Sequence, residues 1–255
     1  MTEQQNKEKE YLLTVSQYML PNENPFAIRV EEDKELFVIS PANTAFLNDL
    51  DTISRYKTLF DTVSDLTFKV SFSLRNAIET AYSSDVLNEF DLLQIGGESE
   101  WSTYYYIENA LFRIEALWDI LAQIYNVKYA LEDDIKNVYH SRIFSNKDRW
   151  VNKYWKSGMP DEIKSIMDYF MEDDNTDITE SAWKGNYRYV NSLRNDMTHK
   201  FSISRSSLSS YAFELKNHPS FIIKRVAECF SVLQGFIWQV CESIMEESPY
   251  FKSVT

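Results

Sequence analysis

Residues 194–199 read RNDMTH, so six positions hold a guanidinium, an amide and an imidazole. The chain has three histidines in all, which makes this placement of one of them worth explaining. Each side chain has a chemical use. The imidazole of His199, with an ordinary pKa of about 6.5, can take or give a proton at neutral pH. Arg194 carries a planar, permanently charged fork that suits a phosphate or a carboxylate. Asn195 can orient the imidazole or donate a hydrogen bond to an oxygen. An Arg and a His at this spacing recur by chance, so the elements around them decide what the pair means.

A helix over about 179–199 places Trp183, Tyr187, Val190, Leu193, Met197 and Phe201 on one apolar stripe. Arg194 falls inside that stripe. An unpaired charge in a core is costly, so Arg194 must meet a carboxylate, a cavity or a partner subunit. Asn195 and His199 are four apart and share a neighbouring face. Arg194 and His199 are five apart, so an ideal helix points them roughly 140° from each other. They converge if the helix loosens near 198, if Arg194 stretches across, or if a second copy supplies the complement. A purely structural reading pairs Arg194 with an internal carboxylate and leaves His199 at a helix C-terminus, favoured by the macrodipole with Lys200 beside it.

Candidate carboxylates come from the run at 101–126, the clearest amphipathic helix in the middle of the chain. Its apolar stripe contains Ile107, Leu111, Ile114, Trp118, Leu121 and Tyr125. At the stripe's edge Glu108, Glu115 and Asp119 align within about 40° of one another. One of the three can pair with Arg194 and fix it; simple surface carboxylates are the other reading. No Glu-x-x-His pair occurs, which removes the usual di-iron arrangement of helical bundles. No metal ligand set and no cofactor motif is expected: P-loop, G-x-S-x-G and Cys-pair zinc patterns are all missing. His140 and His218 have no partner at metal or triad spacing and read as structural or exposed.

A second mixture lies at 147–156, where Lys147, Arg149, Lys153 and Lys156 interleave with Trp150, Tyr154 and Trp155. Cations with stacking rings suit single-stranded RNA. Buried rings with snorkelling lysines account for the same pattern.

Set at the end of the penultimate helix of a helical chain, RNDMTH resembles the ribonuclease motif of the HEPN superfamily: an Arg, a polar residue after it, and a His following a gap of four to six. The likeness covers the six motif residues and, through the helical layout, residues 44–247. It implies an all-α, HEPN-like helical bundle; the small N-terminal β-hairpin and the helical insertion at 128–178 are read from the residues and lie outside a minimal bundle of this kind. It also implies a metal-independent endoribonuclease acting as a homodimer, with both copies of the motif lining one cleft. In that setting His199 is the acid and base, Arg194 stabilises the phosphate, and Asn195 supports them. Lys200, Arg149 and Lys153 are the candidate RNA contacts, and Glu108, Glu115 and Asp119 stand behind Arg194. Such proteins commonly serve toxin–antitoxin, phage-defence or RNA-processing systems, so an antitoxin or nucleotidyltransferase partner is an expectation. The competing reading is a non-catalytic helical scaffold that uses the same seam for dimerisation or partner binding.

The net charge of −13 opposes a protein whose main task is to grip nucleic-acid backbone, since phosphate binders usually present a basic face. Any RNA role must come from a local basic site. With 44% hydrophobic and 15% aromatic residues the chain can bury a substantial core, and five Gly and six Pro are few for an all-β fold. Cys229 and Cys241 share one apolar helix and read as reduced core residues of a cytoplasmic protein. No signal peptide is expected at the N-terminus, and no apolar run nears the roughly 18 residues of a membrane span.

The expected organisation is a tail and β-hairpin over 1–43, one helical domain over 44–247, and a C-terminal tail at 248–255. The first ten residues are polar and read as frayed. AIRV at 27–30 and ELFVIS at 35–40 form the hairpin strands. Helices follow at 44–82, 101–126, 132–145, 161–171, 179–199 and 218–247, with an irregular stretch at 145–160 and a Ser-rich loop or lid at 202–210.

Overall fold

A computed structural model describes residues 1–26, 44–94, 96–132, 134–174, 183–200, 202–208 and 213–247. These residues are mostly helical. In chain order they form α1 (Glu3–Val15), α2 (Thr44–Ala81), α3 (Ser84–Glu89), α4 (Glu98–Tyr129), α5 (His140–Ile143), α6 (Asp148–Tyr154), α7 (Asp161–Met171), α8 (Asn186–His199) and α9 (Pro219–Glu247), with a 3-10 turn at Ile135–Asn137. Extended backbone among them amounts to two short antiparallel pairs: β1 (Asp173–Asp174) with β2 (Trp183–Lys184), and β3 (Ser207–Leu208) with β4 (Phe213–Glu214). The hairpin expected at 27–40 lies outside the described residues, as does the tail at 248–255.

The frame is the long pair α2 and α4, with α9 packed across both. Its helices are long because their apolar residues recur at three and four, so each turn adds buried surface. Val63, Val70, Leu74 and Ile78 of α2 meet Ile107, Leu111, Ile114 and Leu121 of α4 and Val226, Phe230, Leu233 and Ile237 of α9 in one core. Both cysteines lie in that core, where burial pushes each thiol up to about 12. Among the described residues, no helix is long and apolar enough to cross a membrane.

Several expectations are corrected here. The helix expected at 132–145 is the 3-10 turn followed by the four-residue α5. The polar N-terminus is not frayed: Thr2 and Gln5 form a capping box, with Gln5 N–H donating to Thr2 Oγ1 at 3.2 Å and Thr2 N–H to Gln5 Oε1 at 2.7 Å. Leu12 then anchors α1 in the core, a burial worth about 2 kcal/mol. Residues 145–160 are not simply irregular, since they contain α6. Nor is 202–210 all loop, because β3 begins at Ser207.

The segment 128–178 holds α5, α6 and α7, and their Ile143, Phe144, Ile163, Ile166 and Phe170 enter the same core as the long helices. Lys128 ties its edge down: the ammonium meets Glu162 at 3.0 Å, Glu247 at 3.2 Å and the Ser243 hydroxyl at 2.6 Å. At the centre Trp118 lies edge-on to Phe170 (4.8 Å) and to Tyr187 (5.5 Å), and those two rings stack on each other. This knot joins α4, α7 and α8, and it sets where α8 starts. The helix begins at residue 186 rather than 179 because the chain first closes β1 against β2. There Gly185 N–H donates to the Glu172 carbonyl at 3.0 Å, and a Cβ at Gly185 would lie 2.4 Å from that oxygen.

Candidate functional site

Helix α8 turns Tyr187 and Val190 into the core, leaves Arg194 and Asn195 half-buried, and ends with Thr198, His199 and Lys200 exposed. The Arg194 Nη1 donates to Asn195 Oδ1 at 3.0 Å, and Thr198 Oγ1 donates back to the Arg194 carbonyl at 2.9 Å. The Arg194 Nε is buried and has no hydrogen-bond partner, and the guanidinium forms no ion pair with a described residue. His199 makes no hydrogen bond or ion pair with a described residue either. Lys200, by contrast, is paired with Asp196 at 2.7 Å.

The charge of Arg194 acts on two members of the acidic row of α4, Glu115 and Asp119, and the row's three carboxylates part ways. Glu108 accepts a hydrogen bond from Ser202 just after α8, at 3.4 Å, and burial raises its pKa. Glu115 is deeply buried and its Oε1 has no hydrogen-bond partner. Its pKa is raised, because burial outweighs the opposing charges of His140 and Arg194. Burial acts on Asp119 too, but there hydrogen bonds from His140 and the charges of His140 and Arg194 win, and its pKa is lowered. Neighbours one turn apart are thus pushed in opposite directions, and the difference is the number of donors each one has.

Those donors come from His140, at the start of α5. Its ring Nδ1 is 2.6 Å from Asp119 Oδ1, and its backbone N–H donates to the same oxygen at 3.0 Å. A carboxylate oxygen only accepts, so Nδ1 carries the proton of this contact. The other ring nitrogen, Nε2, faces Glu115 Oε2 at 3.6 Å. Phe170 and Tyr187 hold the ring edge-on, at 6.1 and 6.0 Å between centroids. Sequence reasoning missed this residue as part of the site. Only its apolar flanks, Val138, Ile143 and Phe144, hinted that the segment goes inward.

Helix α6 takes the cation–aromatic mixture away from α8. The Arg149 guanidinium lies over the Trp150 ring at 4.4 Å, and the Arg142 guanidinium also lies against that ring at 4.7 Å. Lys153 pairs with Glu132, which raises its pKa. No described hydrogen bond, ion pair or ring contact joins Arg149 or Lys153 to α8. On the side of α8 away from Arg194 runs a groove of about 220 Å³, lined by Ser192, Asp196, Arg205, Lys216 and Asn217 among others. No group of three or more His, Cys, Asp or Glu side chains among the described residues is placed to hold a metal ion.

The chain matches no protein-family model, no curated protein and no solved structure.

Proposed function

We propose that the protein is an endoribonuclease of HEPN type that cleaves RNA without a metal, in a site completed by a second copy of the chain. One His199 takes the proton from a 2′-hydroxyl, and the oxygen attacks the adjacent phosphorus. The bond to the 5′-oxygen breaks, and that oxygen receives a proton from the second His199. The products are a 2′,3′-cyclic phosphate and a 5′-hydroxyl. Arg194 meets the charge that builds on the phosphate, and Asn195 holds one arm of its fork. One observation carries the reading: a half-buried guanidinium with no ion pair among the described residues sits on the same helix as an exposed imidazole with no hydrogen bond or ion pair among them. The roughly 140° between them on a helix favours a second copy, which supplies the complementary group without Arg194 having to stretch across its own helix.

A non-catalytic scaffold is the second reading, and two observations favour it. The net charge is −13, and Phe68 and Phe72 of α2 stand exposed in one groove with Tyr105 of α4, on which the exposed Trp101 stacks. The deciding experiment is cleavage of single-stranded and transfer RNA by purified protein in EDTA, alongside His199→Ala. The expected outcome is cleavage that survives chelation and falls by about 10²-fold or more in the variant. A folded, dimeric protein that cleaves nothing would leave the scaffold standing, and equal cleavage by both proteins would remove His199 from the chemistry.

A further inference from the structure

A chain with a net charge of −13 needs a local surface that favours a nucleic-acid strand, and the groove between α2 and α4 has that chemistry. We infer that this groove binds single-stranded RNA, stacking its bases on exposed aromatic rings while two cations meet its phosphates. The inference rests on the ribonuclease reading for the identity of the strand.

The rings stand in two rows. Phe68 and Phe72 of α2 are 61% and 55% exposed, and Trp101, Tyr105 and Phe112 of α4 are 59%, 50% and 47% exposed. Their spacings of four and seven put each set along one side of its helix. Phe68, Phe72 and Tyr105 line a groove of about 230 Å³. Trp101 stacks on Tyr105 with centroids 5.7 Å apart and planes only 14° apart, so the two rings extend one flat surface beyond it. So much open aromatic surface marks a contact site. A nucleic-acid base has a flat face that stacks on such rings whatever its sequence.

Charge selects the occupant. Lys69 and Arg113 line the groove and no described carboxylate does, in a chain with 39 acids and 26 bases. Arg113 makes no ion pair with a described residue. Its Nη1 donates to the Asn109 carbonyl at 2.8 Å and to Asn109 Oδ1 at 2.9 Å, which holds one arm of the fork and leaves the other donors for a phosphate. Lys69 pairs with Asp65 one turn away at 2.6 Å, an exposed contact that costs little to exchange.

The α4 row also adjoins the end of α8. Ser202, three residues past His199, hydrogen-bonds Glu108 at 3.4 Å. On a helix Trp101, Tyr105 and Phe112 all fall within about 60° of Glu108. A strand cleaved at His199 can therefore continue over these rings.

The test compares two non-cleavable probes of equal length, a deoxythymidine oligonucleotide and an abasic one, binding to the full chain. The parent is expected to bind the thymidine probe about tenfold or more tightly, the scale of base stacking on a ring. Tyr105→Ala is expected to lose most of that preference and Tyr105→Phe to keep it. Arg113→Gln is expected to lower the slope of log affinity against log salt by about 0.7. In cleavage, Tyr105→Ala should raise KM for a long single strand and leave a dinucleotide substrate unaffected. Equal binding of both probes by the parent, an unchanged preference in Tyr105→Ala or an unchanged slope in Arg113→Gln overturns the inference. So does light scattering that shows Tyr105→Ala breaking a dimer, which would give the groove to a second copy. Failure of the ribonuclease reading looks different: the thymidine probe still binds through Tyr105, but no RNA is cut.

Discussion

Two cations in this protein sit against acids of the same helix, and they are handled in opposite ways. Lys216 lies on the chain leading into α9, with its side chain 1% exposed; it pairs with Glu100 at the start of α4, itself 5% exposed, and also donates to the Gln94 carbonyl at 2.5 Å. Farther along α4, Arg194 stands before Glu115 and Asp119 with a buried Nε that has no acceptor. The first arrangement is closed, and every charge has a partner. The second is open: His140 hydrogen-bonds one oxygen of Asp119, Glu115 Oε1 has no partner, and Arg194 makes no ion pair with a described residue. A cation that only holds a fold together is matched as Lys216 is; a cation left unmatched beside available acids is the one to suspect of serving a ligand.

The largest expected effect breaks the closed region. Lys216→Met leaves Glu100 buried without its cation and should cost about 3–5 kcal/mol of stability, measured by urea denaturation. A cost below about 1 kcal/mol would mean that water reaches Glu100 and that the pair is not closed at all. Arg194→Met is next and probes the contrast directly. It should change stability by no more than about 1 kcal/mol, while RNA cleavage falls by about 10²–10³-fold, the scale of losing one oriented charge at a transition state. The reverse pattern, with stability lost and activity kept, would make Arg194 a structural cation like Lys216.

A smaller effect follows from the opposed acids. Glu115 has a raised pKa in the fold, so its protonated form favours folding below the ordinary carboxyl range, and that advantage is lost as pH rises through the folded value. Glu115→Gln should therefore match the parent in acid and become relatively more stable as pH climbs above 4.5, the ordinary Glu value. Asp119 has a lowered pKa and runs the other way. The stability it contributes is present above 3.8 and disappears as pH falls through its folded value, so Asp119→Asn should lose relative stability towards neutral pH. Thermal melts across acid to neutral pH check both signs, and parallel curves for parent and variants would defeat the account. The smallest change is a control in neither region. Ala130 ends α4 with a φ of 49°, a left-handed conformation that glycine adopts without strain. Ala130→Gly should raise stability by about 0.5–1 kcal/mol and leave activity alone.

The long helices are legible in the sequence. Apolar spacing marks 44–82, 101–126 and 218–247, and the structure has Thr44–Ala81, Glu98–Tyr129 and Pro219–Glu247. The edge position of Glu115 and Asp119 on α4, and the tension of Arg194 inside an apolar stripe, could be read off the same periodicity. Less legible were α1, whose helix depends on a two-residue cap and the burial of Leu12, and the start of α8, which depends on a strand pair closing beside Gly185.

What the sequence determined by itself is therefore whatever a 3.6-residue repeat can encode: which runs coil, which face of each is apolar, and which polar side chains lie along its edge. What tertiary structure alone decided is which of those polar groups meet. His140 lies 21 residues beyond Asp119, past a helix end and a 3-10 turn, and no local pattern ties the two together. They are joined because Trp118, Phe170 and Tyr187 must share one buried space, and packing that knot brings the start of α5 against α4 and α8. Periodicity is a property of neighbouring residues, whereas the pairing of charges is settled by how the apolar faces fit once the chain has closed on itself.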